Sequence, residues 1–321
     1  MTRLGYQIPN YTLPGIAPAD VFGNVVAQAK AAEAAGFDRV MVMDHFYQLP
    51  GLGAPHEPML ECYTILSALA QHTEKVQLSS LVTGNTYRHP TLLAKTVTAL
   101  DHVSGGRATL GIGAGWFELE HDALGYEFGT FTDRFEKLEE ALQIIVPMLR
   151  GEKVSLAGDR YQVVDAVNSP KPVSDVPIMI GGSGEKKTLR MVAQYADESN
   201  LGSATVDEIP RKLDALAAHC DRLGRDRSEI AVTSLQMVHV APTMEQAEAD
   251  FRETAAVKGW NEEIIEMAKM ILVFGDPDTV GERLQAVMDT GIDGLTVNLP
   301  GNGHHLDRIA LLGEIGLAVT A

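Results

Sequence analysis

The sequence predicts an α/β fold of the TIM (β/α)8-barrel class, and three observations carry that prediction. Eight short apolar runs alternate with helical stretches over 321 residues. The runs are apolar at nearly every position, which marks parallel strands buried on both faces by covering helices. One local pattern also recurs at both ends of the chain: EAAGFDRVMV around Gly36 and MDTGIDGLTV around Gly291 each read as helix, left-handed glycine stop, apolar residue, Asp and buried strand. Repetition of one unit favours a closed ring over an open sheet. Barrels of this length form as one domain, so residues 1–321 are expected to be a single unit.

The elements follow in order. Strands are expected at 4–8, 39–44, 76–82, 108–113, 177–182, 198–203, 229–241 and 294–300. Helices are expected at 20–35, 58–72, 91–104, 132–150, 206–223, 244–257, 261–272, 278–290 and 305–318, with a further one after the fifth strand. The clearest is 132–150, where Phe135, Leu138, Leu142, Ile145 and Leu149 fall at three- and four-residue spacings on one stripe. Residues from about 151 to 176 interrupt the alternation. The pattern around Ala157, Gly158 and Asp159, followed by Pro170 and Pro172, reads as a hairpin and a proline-containing loop inserted into the barrel.

Composition narrows the function. With 26 Lys+Arg against 43 Asp+Glu the formal net charge is −17, which disfavours nucleic acid and anionic membrane surfaces because both need a basic face. Mean hydropathy is −0.01 and no apolar run reaches the roughly 18 residues that span a bilayer. The opening residues lack the zones of a signal peptide, so the cytoplasm is the expected location. Cys62 and Cys220 stand outside any metal-ligand spacing. His304 and His305 are adjacent and so cannot share the helical face that chelation needs, and His121 is expected in a loop. No metal is therefore expected, and the partner is expected to be a small molecule.

In a barrel the chemistry sits at the C-terminal ends of the strands. Four strands end unusually: in Asp44-His45-Phe46, in SSLVTGNTYRHP (79–90), in GIGAGWFELEH (111–121) and in Gly181-Gly182-Ser183-Gly184. The last runs into a helix carrying Lys186, Lys187 and Arg190. Backbone N–H groups of a glycine turn and a helix N-terminus make an anion site, and the cations set a local positive field in an acidic protein. The same residues also read as a tight turn before a solvated helix face, since lysines early in a helix oppose its dipole.

As a set, MDHF, LVTGNTYRHPTLLAK, LDHVSGGRATLGIGAGWFELEHDALGYEF, RFEKLEEAL and IGGSGEKKTLRMVAQYAD resemble the luciferase-like flavin oxidoreductases, in the branch that uses the deazaflavin coenzyme F420. The resemblance is strong over about residues 4–200 and beyond that rests on barrel layout. It implies an enzyme with a flavin-like ring at the strand C-termini and hydride chemistry on a small organic substrate. Gly181, Gly182, Ser183 and Gly184 would take the cofactor phosphate, while Lys186, Lys187 and Arg190 attract its carboxylate-bearing tail. His45 becomes the candidate acid or base, because imidazole titrates near neutrality. Asp44 contacts the ring or orients its neighbour, although the two also read as a structural pair holding a loop.

The resemblance further implies a bulge at Ser80-Leu81 with a non-proline cis peptide against the ring face. Thr83 and Asn85 would meet the ring edge, and Gly113, Ala114 and Gly115 would allow close backbone approach. Trp116 supplies a flat wall of the substrate pocket, with Phe46 beside it. A family member that oxidises a sugar phosphate carries glutamate at the position of Trp116; this departure points to an apolar or aromatic substrate. The alternatives are an FMN-dependent monooxygenase and a non-catalytic F420 carrier. A homo-oligomer, a dimer, is expected.

Overall fold

A computed structural model describes residues 3–202 and 204–321. Ser203, the last residue of the strand expected at 198–203, lies outside the described residues. The strands are β1 (Leu4–Ile8), β2 (Arg39–Val42), β3 (Gln77–Ser80), β4 (Thr83–Gly84), β5 (Ala108–Gly113), β6 (Val154–Ala157), β7 (Gln162–Ala166), β8 (Ile178–Gly181), β9 (Glu198–Asn200), β10 (Ala231–Val240), β11 (Val273–Gly275) and β12 (Gly294–Asn298). Eight of them close a parallel barrel in the order β1, β2, β3, β5, β8, β9, β10, β12 and back to β1. Closure is visible in the register of β1, where Leu4 pairs with Leu295 on one side and Gly5 with Arg39 on the other. Every residue of β1, β2, β5 and β12 is buried, as two covered faces require.

Helices cover the outside. The longest, Phe131–Leu149, buries Leu138, Leu142, Ile145 and Leu149, and each such side chain contributes about 1.5–3 kcal/mol by leaving water. Its start is fixed by a reciprocal cap between Thr130 and Asp133, so Thr130→Ala would cost about 1 kcal/mol. Gly36 (φ 85°) and Gly291 (φ 91°) occupy the left-handed region just beyond their helices, which lets the chain turn directly into β2 and β12.

The sequence reading departs from the structure at short elements. The run 76–82 is not one strand: β3 stops at Ser80, the cis peptide is Leu81–Val82, one bond later than the resemblance implied, and β4 resumes at Thr83 to pair with β5. His121 is not in a loop but buried in the helix Glu118–Leu124, which is too short to show a helical period in sequence. The three-residue β11 pairs with the outer half of β10 outside the barrel. β6 and β7 form an antiparallel hairpin between the helix Phe131–Leu149 and β8.

The two ends of the barrel differ in kind. At the N-terminal end Arg39 is buried against Glu198 at 2.9 Å and also donates to Gln77. The C-terminal end is open. Among the described residues no helix is long and apolar enough to cross a membrane.

Candidate active site

A cavity of about 580 Å³ opens at the C-terminal end of the barrel. It gathers residues from all four unusual strand ends: Asp44 and His45 beyond β2, Leu81 and Thr83 at the β3–β4 break, Ala114, Gly115 and Trp116 beyond β5, and Gly181 and Gly182 at β8. Much of the remaining wall is apolar, built from Leu49, Leu52, Leu235, Met237, Phe131 and Phe135.

His45 is held by a residue that sequence reasoning passed over. Its Nδ1 lies 2.9 Å from Oε2 of Glu120, which is fully buried in the helix Glu118–Leu124. Oε1 of Glu120 accepts from the Phe46 and Tyr47 N–H groups at 2.5 and 2.7 Å, and the Tyr87 hydroxyl donates to Oε2. Burial opposes ionisation of Glu120, but the donors from His45, Tyr87 and the Tyr47 backbone outweigh it and hold the carboxyl below the usual range. An ionised carboxylate only accepts, so the proton sits on Nδ1 of His45. Glu120 lies four residues beyond Trp116 in the same strand-end segment. The usable signal was a carboxylate in the first turn after a strand end, where a short helix can swing it back over the barrel mouth.

Asp44 is engaged elsewhere. Arg88 grips both its oxygens at 2.6 and 2.9 Å and also reaches Glu61, while the Gly84 N–H donates to Asp44 at 3.1 Å. Burial pushes the Asp44 carboxyl up, and the Arg88 fork works against it. These bonds make Asp44 a clamp between the ends of β2 and β4.

Thr83 is buried with its hydroxyl between those of Tyr63 (2.7 Å) and Ser80 (2.6 Å), and Ser80 also donates to the Gly111 carbonyl. Ser80 and Asn85 are buried and stand behind the cavity wall rather than in it. Phe46 also lies off the wall, stacked on Tyr126 with its edge toward Tyr87. Trp116 is 60% exposed, lies against Phe117 and stands edge-on to His45 at 5.8 Å.

The glycine turn is narrower as an anion site than the sequence suggested. Gly181 belongs to β8, and the Gly182 N–H is already given to the Asn200 carbonyl at 2.9 Å. Among the described residues the Ser183 and Gly184 N–H groups have no acceptor. The helix starts only at Thr188. Arg190 is committed to Glu139 through two bonds of 2.8 and 2.6 Å, which corrects its expected role in drawing in a tail. Lys186 is exposed, and Lys187 lies over the rings of Phe131 and Phe135 at 5.3 and 5.5 Å; neither has an ion-pair partner among the described residues. Lys212, another residue the sequence did not flag, is buried under the turn and donates to the Ser183 carbonyl at 3.1 Å.

Glycine at 113 and 181 has a packing reason. A Cβ on Gly181 would lie 2.8 Å from Val82 Cγ1, and one on Gly113 would lie 2.9 Å from Val82 Cγ2. Val82 is thus wedged between two strand ends at the cavity wall.

Residues 2–294 match the family described as luciferase-like monooxygenase. The chain is 30% identical to an F420-dependent glucose-6-phosphate dehydrogenase of Nakamurella multipartita, over 97% of this chain and 94% of that protein. It is 27% identical to a 5,10-methylenetetrahydromethanopterin reductase of Methanolobus tindarius, over 83% and 72%. Its fold is shared with an F420-dependent secondary alcohol dehydrogenase solved with an F420–acetone adduct (TM-score 0.79, 21% identity, 99% of both chains). A monooxygenase from Streptomyces bottropensis shares it too (TM-score 0.79, 17% identity, 99% and 100%). A match over most of its length, and a site assembled at the strand ends of a barrel these proteins share, mean that this chain belongs to the luciferase-like monooxygenase family.

Proposed function

We propose that the chain is an F420-dependent oxidoreductase that moves a hydride between the deazaflavin and a small organic substrate of apolar or aromatic character. The observation that carries this reading is the His45–Glu120 pair, with His45 at the wall of a cavity that Gly181 and Gly182 also line, followed in the chain by Lys186 and Lys187, which have no ion-pair partner among the described residues. The residues suit a phosphate-bearing ring cofactor. Two glycines flank Val82, and among the described residues the buried Asn298 Oδ1 at the wall has no partner and the Ser183 and Gly184 N–H groups have no acceptor.

When bound, the deazaflavin supplies a ring carbon that accepts or gives a hydride. Ser183 and Gly184 would donate to its phosphate, and Lys186 and Lys187 would meet the acidic tail. Glu120 keeps the His45 proton on Nδ1, which leaves Nε2 as the basic nitrogen. In the oxidising direction Nε2 takes the hydroxyl proton as the hydride leaves the substrate carbon; in the reducing direction it returns that proton. Asp44 and Arg88 hold the loop that carries His45. Trp116, with Leu49, Leu52 and Met237, gives the substrate side an apolar surface, in contrast to what a sugar phosphate would need.

The proposal takes residues 1–321 as one domain, acting as a homodimer in the cytoplasm, where the buried free thiols Cys62 and Cys220 would stay reduced. Separate titrations with oxidised F420 and with FMN test the cofactor, followed by turnover with and without oxygen. F420 should bind in the micromolar range, about −8 kcal/mol, and more tightly than FMN, with turnover indifferent to oxygen. Retained FMN and oxygen consumed in step with substrate would replace this reading with a monooxygenase. Tight F420 binding without turnover on any apolar alcohol or carbonyl would leave a carrier.

A further inference from the structure

Adjacent histidines in a helix point about 100° apart, but His304 and His305 lie in the turn between β12 and the helix Leu306–Val319. That backbone brings their rings together, with centroids 4.0 Å apart and planes tilted by 38°. The angular separation of neighbouring helical side chains therefore does not apply to this pair. Glu253 reaches the same place from the helix Met244–Lys258. The ligand atoms of Glu253, His304 and His305 all lie within 4.8 Å of one another, and no other such group occurs among the described residues.

We propose that Glu253, His304 and His305 bind one divalent transition-metal ion of the Zn²⁺ and Co²⁺ class. Two imidazoles and a carboxylate are a donor set those ions accept, with water completing the shell. His304 Nδ1 and His305 Nε2 are buried and have no hydrogen-bond partner among the described residues, although each histidine as a whole is only half-buried. Buried polar nitrogens are usually paired, and a metal would use both. His305 stands at the N-cap of its helix without making a capping bond, so ligation there sacrifices none. Asp250, the nearby second carboxylate, is already paired with Arg308 at 2.9 Å, which leaves Glu253 as the anionic ligand. None of the three residues lines the catalytic cavity. The ion would tie the helix Met244–Lys258 to the turn that follows Asn298.

The test uses the tag-free full chain after chelator treatment. Zn²⁺ is titrated by calorimetry, and Co²⁺ is followed by its visible absorption. One ion per chain should bind with an affinity in the micromolar range. Binding should weaken by about tenfold or more in Glu253→Gln and further in His304→Ala and His305→Ala. Glu253 is exposed, so Glu253→Gln should fold, and unchanged F420 affinity and circular dichroism check all three variants. No binding tighter than millimolar, or binding equal in wild type and every variant, overturns the proposal.

Discussion

Glu120, from the short helix after β5, reaches Nδ1 of His45 beyond β2 at 2.9 Å and ties two strand ends into one unit. The same carboxylate accepts from Tyr87 and from the Phe46 and Tyr47 N–H groups, so it positions the whole loop that carries His45. Glu120 is a positioning residue, and His45 is the group aimed at the cavity.

This pairing separates two mutations. His45→Asn removes the proton carrier and should lower kcat by about 10²-fold or more with little effect on F420 affinity. Glu120→Gln keeps the volume but loses an acceptor and the charge, so kcat should fall by about tenfold and its pH profile should move. A shifted profile distinguishes positioning from loss of structure. Full turnover in His45→Asn would mean that the proton takes another route.

The glycine turn predicts an unequal effect of its three cations. Lys186→Ala with Lys187→Ala should weaken F420 binding, most at low ionic strength where screening is least. Arg190→Ala should change affinity much less, because Glu139 already neutralises that guanidinium. Equal losses for the lysine pair and for Arg190, across a salt series of F420 titrations, would contradict the assignment.

The barrel was readable because its strands are apolar on both faces and its helices repeat at one period, signals that each span several residues. Glu120, Lys212 and Arg190 were not, for a shared reason. Their roles depend on partners distant in sequence: His45 for Glu120, the Ser183 carbonyl for Lys212 and Glu139 for Arg190. A cation near a glycine turn looks available until the neighbouring helix is seen to supply its carboxylate. His304 and His305 show the opposite error, since spacing that would separate two rings on a helix brings them together in a turn.

Val82 wedged between Gly113 and Gly181 predicts a coupled pair. Gly181→Ala would place a methyl 2.8 Å from Val82 Cγ1 and should cost about 1–3 kcal/mol as overpacking, with weaker F420 binding. Val82→Ala removes the opposing methyls and should recover part of that loss in the double variant. Denaturant titrations of the four proteins measure the coupling, and strictly additive losses would refute the contact as its cause.

His239 gives an acid-stability prediction whose sign follows from its surroundings. The ring is buried between Phe274, stacked at 5.3 Å, and the edge of Phe251; Nε2 donates to the Ala247 carbonyl while Nδ1 has no partner among the described residues. Burial lowers its pKa from 6.5 to about 4. The unfolded chain therefore takes up the proton first as pH falls. Stability from this group is constant above pH 6.5, declines between 6.5 and about 4, and is constant again below, the reverse of a histidine gaining an acidic partner. The loss should reach about 2 kcal/mol at pH 5, at 1.36 kcal/mol per unit. His239→Gln can keep a donor toward Ala247 but cannot titrate. Its own baseline will be lower, so the readout is the change in the gap between the two proteins. Unfolding free energies at pH 7.5 and pH 5 should show that gap narrowing by about 2 kcal/mol, since the carboxylates common to both cancel. A gap that stays constant across this range would show that His239 is protonated as easily in the folded barrel as in the unfolded chain.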